Sequence, residues 1–282
     1  MRKSRLLAML SALAVLVAMV LVVGCGSSDD DSSSSSSSSD SVSSELITEG
    51  TLTVGSDIPF PPFEQGKPPN YDGFDIELVN AIADEMSLDV KIVDTAFDTI
   101  FTDVAQGKFD LVASASTITP EREKTVNFSA PYYEAEQALV VPTGSDIASV
   151  EDLAGKTVAT QDGTTGEAFA NDETDAGEVR GLPNGPDTIN AVKTGQTEAA
   201  IIDQPVAQDA IDKGQTGFEV ATTIPTGELY GLAFSKQTPA LLSAVDDALA
   251  NIKKDGKMDE IYQKWFGIDA PKAVIDSNAP AK

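Results

Sequence analysis

FDIELVNAIADEMSLDVKIV, residues 74–93, contains both kinds of element that recur along this chain. In its first part the apolar side chains are three and four residues apart, which places them on one stripe of a helix. This stripe consists of Ile76, Val79, Ile82 and Met86. The last part, 89–93, is a short run rich in β-branched residues, as is typical of a strand. The stretch therefore predicts a helix followed directly by a strand.

The same alternation continues on both sides of this stretch. Further runs with the pattern of strands are TLTVG (51–55), FDLVASA (109–115), TVATQ (157–161) and EAAII (198–202). A second helical stripe, in residues 239–256, is formed by Leu242, Val245, Leu249 and Ile252. That helix has Pro239 in its first turn and ends at Gly256. Strands that alternate with helices favour an α/β fold with mainly parallel sheets.

The chain contains no repeat of fixed period, but residues 140–225 have the pattern of a separate α/β unit. PYYEAE (131–136) leads into this unit, and PTGELY (225–230) leads out of it. If the two segments are neighbours, the chain leaves one lobe, builds a second, and returns to complete the first. A cleft between two such lobes is the natural place for a ligand.

The N-terminus has the layout of an export signal. Basic residues precede an apolar run of 18 residues, 6–23, and the pattern predicts a signal peptide over 1–24. The run ends in VVGCG, which resembles a bacterial lipobox and predicts lipidation of Cys25. An uncleaved membrane anchor is the alternative, since 18 apolar residues are nearly enough to span a bilayer. Residues 25–44, rich in Ser and Asp, are then expected to form a disordered tether at the outer face of the cytoplasmic membrane.

Composition excludes several classes of function. The chain has 19 Lys and Arg against 45 Asp and Glu, a net charge of −26, so nucleic acid is not an expected partner. It contains no histidine, which excludes a His-ligated metal and a Ser-His-Asp or Cys-His catalytic centre. No metal or cofactor is expected. Cys25 is the only cysteine, so no disulfide stabilises the exported domain.

Six segments together resemble solute-binding protein family 3, the amino-acid receptors of ABC importers. In chain order they are GSDIPFPPFE, YDGFDIELVNAIADEM, FDTIFTDVAQGKFDLVASASTITPEREKTVNFSAPYY, VEDLAGKTVATQDGTTGEAF, AAIIDQPVA and DGKMDEIYQKWFG. The resemblance covers nearly everything between residues 46 and 267, in the order and spacing of the family.

The resemblance implies a two-lobed periplasmic-binding-protein fold, with two mixed, mainly parallel sheets joined by a two-segment hinge. Lobe 1 is expected to comprise residues 45–131 and 231–270, and lobe 2 residues 137–225. The hinge is expected at 132–136 and 226–230, followed at the end of the chain by a tail, 271–282.

A free amino acid carries both charges, and each needs a partner when it is buried. A guanidinium meets a carboxylate in a two-point fork, supported by hydroxyls and backbone N–H groups. Arg122 with Thr117 and the backbone of 114–117 provides such a set and resembles the family's clamp for the α-carboxylate. Ser114 and Ala115 are included in the predicted site, although Ala115 stands where several relatives have Gly or Ser. The alternative is that Arg122 pairs with a neighbouring glutamate at a helix start.

The remaining charged and polar assignments rest on the resemblance. Asp203, at the end of an apolar strand, is expected to receive the α-ammonium; helix capping before Pro205 is the alternative. Thr164 and Thr165 lie in a Gly-rich turn before a helix and would complete the carboxylate site, with Gln161 near the ligand side chain. A purely structural helix entry is equally compatible with that turn.

Two aromatic residues and one acid complete the predicted site. Phe60 and Phe97 match positions that sandwich the ligand's aliphatic stem, although a lone Phe is more often part of a core. Phe63 is expected in the core. Asp57 matches a position that contacts the ligand side chain, and an acid there favours glutamine, arginine, lysine or ornithine over glutamate or aspartate.

The sequence is thus interpreted as that of a monomeric, lipid-anchored receptor that delivers a free amino acid to an ABC permease and is not an enzyme. Two alternatives remain open. One is an enzyme on the same scaffold, because cyclohexadienyl dehydratases look similar over their whole length. The other is a sensory amino-acid-binding module.

Overall fold

The computed structural model describes residues 41–277. The predicted signal peptide, Cys25 and residues 25–40 of the predicted tether lie outside this range, as do the last residues of the predicted tail. Within residues 41–277 no helix has both the length and the apolar composition needed to cross a bilayer.

Residues 46–277 form twelve strands and eight α-helices. The strands are β1 (Thr51–Ser56), β2 (Gln65–Lys67), β3 (Asn70–Asp72), β4 (Asp89–Asp94), β5 (Leu111–Val112), β6 (Val126–Phe128), β7 (Tyr133–Pro142), β8 (Thr157–Gln161), β9 (Glu178–Leu182), β10 (Ala199–Asp203), β11 (Phe218–Tyr230) and β12 (Ala233–Ser235). The helices are α1 (Phe74–Glu85), α2 (Phe97–Ala105), α3 (Thr165–Asp172), α4 (Gly185–Lys193), α5 (Gln204–Asp212), α6 (Pro239–Lys254), α7 (Lys257–Phe266) and α8 (Lys272–Ile275). Short 3₁₀ turns lie at Arg122–Lys124 and Val150–Leu153.

Two five-stranded sheets organise the molecule. The first has the order β4-β1-β5-β12-β6, in which β4, β1 and β5 are parallel and β12 is antiparallel to both of its neighbours. The second has the order β11-β7-β10-β8-β9, in which β10, β8 and β9 are parallel. In each sheet the parallel strands end at one common edge, which is where open α/β sheets place ligand-binding side chains.

The two sheets belong to two lobes that are linked by β7 and β11. These long strands pair antiparallel from Tyr133 opposite Tyr230 to Pro142 opposite Phe218. Their register shifts between Ile224 and Glu228, so the ribbon is irregular at the point where it joins the lobes. The segments PYYEAE and PTGELY are therefore neighbours in space. The fold is α/β and two-lobed, as predicted.

An aromatic cluster connects the first lobe to this ribbon. Phe63 is fully buried, and its ring lies 5.0 Å from that of Tyr133, 5.4 Å from that of Tyr230 and 5.7 Å from that of Phe266. The chain passes so close to itself here that a Cβ on Gly73, with φ 135°, would stand 2.0 Å from the carbonyl oxygen of Phe63. Phe63 is a core residue, as predicted.

Two elements differ from the sequence-based expectation. The strand predicted over 109–115 is only β5, because the backbone turns at Ala115, whose φ is 42°. The predicted tether also ends early, since residues 41–45 are helical. Leu46 packs against the core, and the Glu45 carboxylate accepts hydrogen bonds from the backbone N–H groups of Ala240 (3.3 Å) and Leu241 (2.7 Å) at the start of α6. These contacts order the end of the segment that composition alone marks as disordered.

Candidate ligand-binding site

All eleven predicted ligand-binding side chains line one cavity between the two lobes. The space between these side chains is narrow: about 10 Å³ is open to the centre of a water-sized sphere, roughly the room that one water molecule needs. Its lining residues are Asp57, Phe60, Phe97, Ser114, Ala115, Thr117, Arg122, Gln161, Thr164, Thr165 and Asp203. Several follow the ends of parallel strands: Asp57 follows β1, Ser114 comes just after β5, and Gln161 and Asp203 end β8 and β10.

Arg122 lies in the 3₁₀ turn after the Ser/Thr-rich loop. Its guanidinium donates hydrogen bonds to the carbonyl oxygens of Thr117 (2.8 Å) and Gly163 (3.1 Å), and the second of these crosses to the other lobe. The guanidinium also lies 4.5 Å from the ring centroid of Phe101. Burial lowers the pKa of Arg122 to about 10 although the charges of Glu228 and Asp203 oppose this, so the group stays cationic at neutral pH.

The alternative ion pair between Arg122 and a neighbouring glutamate is not what the structure has. Glu121 accepts instead from Lys124 on the surface. Arg122 is therefore directed into the cleft, where its net positive charge faces the ligand space.

Two buried acids, Glu64 and Asp75, accept hydrogen bonds from the loop before Arg122. The sequence analysis did not include either of them in the site. Ser114 Oγ donates to Glu64 Oε1 (2.9 Å) and accepts from the backbone N–H of Asp57 (2.9 Å). The backbone N–H of Ala115 donates to Asp75 Oδ2 (2.8 Å). Glu64 and Asp75 both occur in the segments that carry the family resemblance, but buried acids are rare, and nothing local distinguishes them from surface acids.

Asp203 is fixed at the end of β10 through both of its oxygens. Gln137 Nε2 donates to Oδ1, and the Tyr230 hydroxyl donates to Oδ2. Its side chain makes no capping hydrogen bond to α5, so it does not play the alternative role of a helix cap. Burial, followed by the charge of Glu228, raises the pKa of Asp203 to about 7.

Asp57 and Gln161 meet across the cleft. Gln161 Nε2 donates to Asp57 Oδ2 (2.5 Å) and to the Pro183 carbonyl oxygen (3.2 Å). Burial raises the pKa of Asp57 to about 7; the hydrogen bond from Gln161 opposes this, and the charges of Asp94 and Asp98 add to it. Asp57 and Asp203 thus have different charged neighbours, and the cavity has two acidic regions.

The aromatic residues and the Gly-rich turn have mixed roles. Phe60 and Phe97 are each 7% exposed, and the Phe60 ring fits against Gly185 of the opposite lobe, where a Cβ would stand 2.5 Å from the ring. Thr164 caps α3, because its Oγ1 accepts from the backbone N–H of Glu167 (3.1 Å). Thr164 therefore has the structural role that the sequence left open, while it also lines the cavity.

Glu228, on β11, is a third acid at the site that the sequence analysis did not predict. It is 8% exposed, and its carboxylate accepts hydrogen bonds from the hydroxyls of Thr117 (2.5 Å) and Thr165 (2.8 Å). Gln137 Nε2 lies 3.2 Å from its other oxygen.

Within residues 41–277 no group of three or more potential metal ligands is placed to hold an ion.

Lowering the pH from about 8 to about 5 is expected to raise the unfolding midpoint of the protein. Burial raises the pKa values of Asp57, Asp75 and Asp203 to about 7 from an ordinary value of 3.8. The native state therefore binds protons that the unfolded state does not bind between pH 4 and 7, and its stability falls as the pH rises through that range. We expect a difference of roughly 4–8 °C, as for about 2 kcal/mol in a domain of this size.

Thermal unfolding followed by circular dichroism at pH 5, 6, 7 and 8 measures this dependence. Asp203→Asn serves as the control, because it removes one of the titrating groups and should flatten the profile. A midpoint that falls as the pH is lowered over this range contradicts the expectation.

Comparison with known proteins identifies the family. Residues 52–268 match the family of bacterial extracellular solute-binding proteins, family 3. The L-cystine-binding protein TcyJ of Escherichia coli K12 is 28% identical, over 83% of this chain and 89% of its own, and the glutamine-binding protein GlnH of Bacillus subtilis 168 is 32% identical, over 70% and 74%. An ancestral arginine-binding protein bound to arginine is 38% identical in sequence, with a TM-score of 0.74 over 78% of this chain and 99% of that one. The chain belongs to the bacterial extracellular solute-binding proteins of family 3.

Proposed function

We propose that this protein binds a free L-amino acid with a basic or amide side chain, of the glutamine, arginine, lysine or ornithine class. The observation that carries the proposal is the position of Asp57. Its carboxylate lines the cavity and accepts a hydrogen bond there from Gln161 Nε2. A donor-bearing side chain complements this region, whereas glutamate or aspartate would bring a further carboxylate to an acid.

The two charges of the amino acid have one charged partner each in this proposal. Arg122 takes the α-carboxylate, because its fork of N–H donors matches the geometry of a carboxylate. Asp203 takes the α-ammonium from the opposite lobe. Phe60 and Phe97 flank the aliphatic stem, with Ser114, Ala115 and Thr117 on the first lobe and Thr164 and Thr165 on the second.

We also propose that the lobes close on the ligand about residues 132–136 and 226–230. Lobe 1 then comprises 45–131 and 231–270, and lobe 2 comprises 137–225. The antiparallel pairing of β7 with β11 supports this, because the paired segments are the two places where the chain passes between the sheets. A ligand that bridges Arg122 and Asp203 stabilises the closed arrangement by its differential affinity.

Amino-acid binding and association with an ABC transporter follow from membership of the family. We propose that the mature chain is exported, anchored by a lipid on Cys25 at the outer face of the cytoplasmic membrane, and monomeric, and that it hands its ligand to the permease without chemical change. The run of apolar residues before Cys25 supports the anchor.

A thermal-shift screen tests the ligand class. The purified protein is unfolded with each of the twenty amino acids and ornithine at about 1 mM. A ligand present at roughly a thousand times its Kd stabilises the native state by about 4 kcal/mol. We expect one or more of glutamine, arginine, lysine and ornithine to raise the midpoint by roughly 8–16 °C, and glutamate and aspartate to leave it unchanged.

Prephenate and arogenate serve as the comparison ligands, and their turnover is followed by absorbance. Conversion of either compound would support the dehydratase alternative over the receptor. A shift with glutamate alone would overturn the proposed role of Asp57, and the absence of any shift would overturn the proposed ligand class.

A further inference from the structure

Glu228 contacts two of the threonines that line the cavity without being one of the predicted ligand contacts. It lies on β11 opposite Ala135 of β7, directly after the register shift in this pair of strands. Its side chain is 8% exposed and contacts Thr117 and Thr165, which line the cavity. A buried acid in such a position needs partners, and it finds them on both lobes.

Its partners are the hydroxyls of two threonines that line the cavity. Thr117 Oγ1, on the first lobe, and Thr165 Oγ1, on the second, both donate to Glu228 Oε2, at 2.5 Å and 2.8 Å. An ionised carboxylate has lone pairs and no proton, so the threonines are the donors in these two hydrogen bonds.

Each hydroxyl has one proton and two lone pairs. Because Glu228 takes the proton of both Thr117 and Thr165, neither hydroxyl has a proton left to donate to a ligand carboxylate. What both can still offer is a lone pair, which accepts a hydrogen bond from a cation such as an ammonium group.

We infer that Glu228 determines which end of the ligand these threonines recognise: it orients both hydroxyls as acceptors, so that they bind the α-ammonium together with Asp203. Glu228 is thus a positioning residue that acts through Thr117 and Thr165. The α-carboxylate is left to Arg122 and to the backbone N–H groups of Thr165 and Gly166 at the start of α3, because Thr164 already accepts from that of Glu167. This inference rests on the proposed function, since it presupposes an amino acid in the cavity.

The charges around Glu228 agree with this inference. The carboxyl groups of Asp203 and Glu228 both interact electrostatically with the guanidinium of Arg122. Gln137 Nε2 donates to both acids and holds them beside each other. The ammonium group of the ligand is attracted to these two acids, whereas the carboxylate of the ligand would be repelled by them.

The test compares ligands that differ only in the ammonium group. L-Arginine is paired with 5-guanidinopentanoate, and L-glutamine with glutaramate; the second member of each pair lacks the α-ammonium. Isothermal titration calorimetry gives the affinities of the wild-type protein, Glu228→Gln and the control Glu49→Gln. Glu49 is an exposed acid in the turn before β1, outside the cavity and the proposed hinge, so the control makes the same change in net charge.

We expect the preference of wild type for the amino acid over its deamino analogue to fall by about tenfold or more in Glu228→Gln. The affinity for the analogue should change by less than about threefold, and Glu49→Gln should behave as wild type. Equal weakening of both members of a pair, or tighter binding of the analogue, would overturn the inference.

A second variant, Thr165→Val, tests the inference even if Glu228→Gln does not fold. Thr165→Val keeps Glu228 and the shape of the side chain but removes one of the two acceptors. It should also lower the preference for the ammonium-bearing ligand, and an unchanged preference would overturn the inference. If wild type binds neither L-arginine nor L-glutamine, the proposed function fails first and this inference with it.

Discussion

Replacing Arg122 by alanine is expected to abolish amino-acid binding at micromolar ligand concentrations. The substitution leaves the ligand carboxylate buried without its cation, and removal of one partner of a buried, hydrogen-bonded charge pair costs about 2–5 kcal/mol. This corresponds to a loss of affinity of roughly 30-fold to several thousand-fold. Isothermal titration calorimetry with the amino acid that gives the largest thermal shift measures it.

Lysine at position 122 is expected to recover only part of this loss. It restores the charge, but it cannot donate in a fork to the Thr117 and Gly163 carbonyl oxygens and to a carboxylate as the guanidinium does. We therefore expect Arg122→Lys to bind more weakly than wild type and more tightly than Arg122→Ala.

Arg180→Ala is the matched control for these variants. Arg180 lies on β9, where it pairs with Glu178 on the surface and contacts the Gln196 carbonyl oxygen. Its removal makes the same change in net charge far from the cavity, so binding should remain at the wild-type value. An affinity of Arg122→Ala within about threefold of wild type would exclude Arg122 as the carboxylate partner.

Replacing Phe63 by alanine is expected to lower the free energy of unfolding by about 3–5 kcal/mol, as removal of a buried phenylalanine ring does elsewhere. Phe63 is fully buried among the rings of Phe74, Tyr133, Tyr230 and Phe266, which are themselves held by different elements. Those elements cannot all move inward to fill the space, so a cavity remains. Urea unfolding of the unliganded protein, analysed by linear extrapolation, measures the loss.

Two further variants define what this result means. Ile268→Ala removes an exposed apolar side chain, 53% exposed, and should change the stability by about 0.5 kcal/mol at most. Phe63→Leu fills most of the volume and should cost less than Phe63→Ala. A loss below about 1 kcal/mol in Phe63→Ala would mean that the ring contributes much less than its burial indicates.

Local sequence patterns predicted the elements well wherever the determining forces are local. TVATQ forms β8 over the predicted residues, and α6 begins at Pro239 as expected, because strand propensity and a proline in the first turn act within a few residues. The predicted strand over 109–115 is wrong in length. Its end is set by the hydrogen bond from the Ala115 N–H to Asp75, 40 residues earlier in the chain.

The predicted site residues came from segments that resemble the family, and the residues outside that resemblance were not predicted. Arg122, Asp203 and Asp57 occur in segments that match the family, and they line the cavity. Glu228 lies 111 residues from Thr117 along the chain and 63 from Thr165. No local pattern indicates that its carboxylate reaches both hydroxyls, because that depends on the register shift in β11 and on how the lobes meet.

Both ends of the described chain are fixed to the first lobe. Glu45 is bonded to the start of α6, and Lys253, near the end of that helix, donates to the carbonyl oxygens of Ser277 (2.6 Å) and Pro131 (2.9 Å). A mechanical load applied between the two ends therefore passes through the first lobe, around α6. The second lobe is inserted between two neighbouring strands and lies off this path, so a pull between the two ends does not shear the cleft.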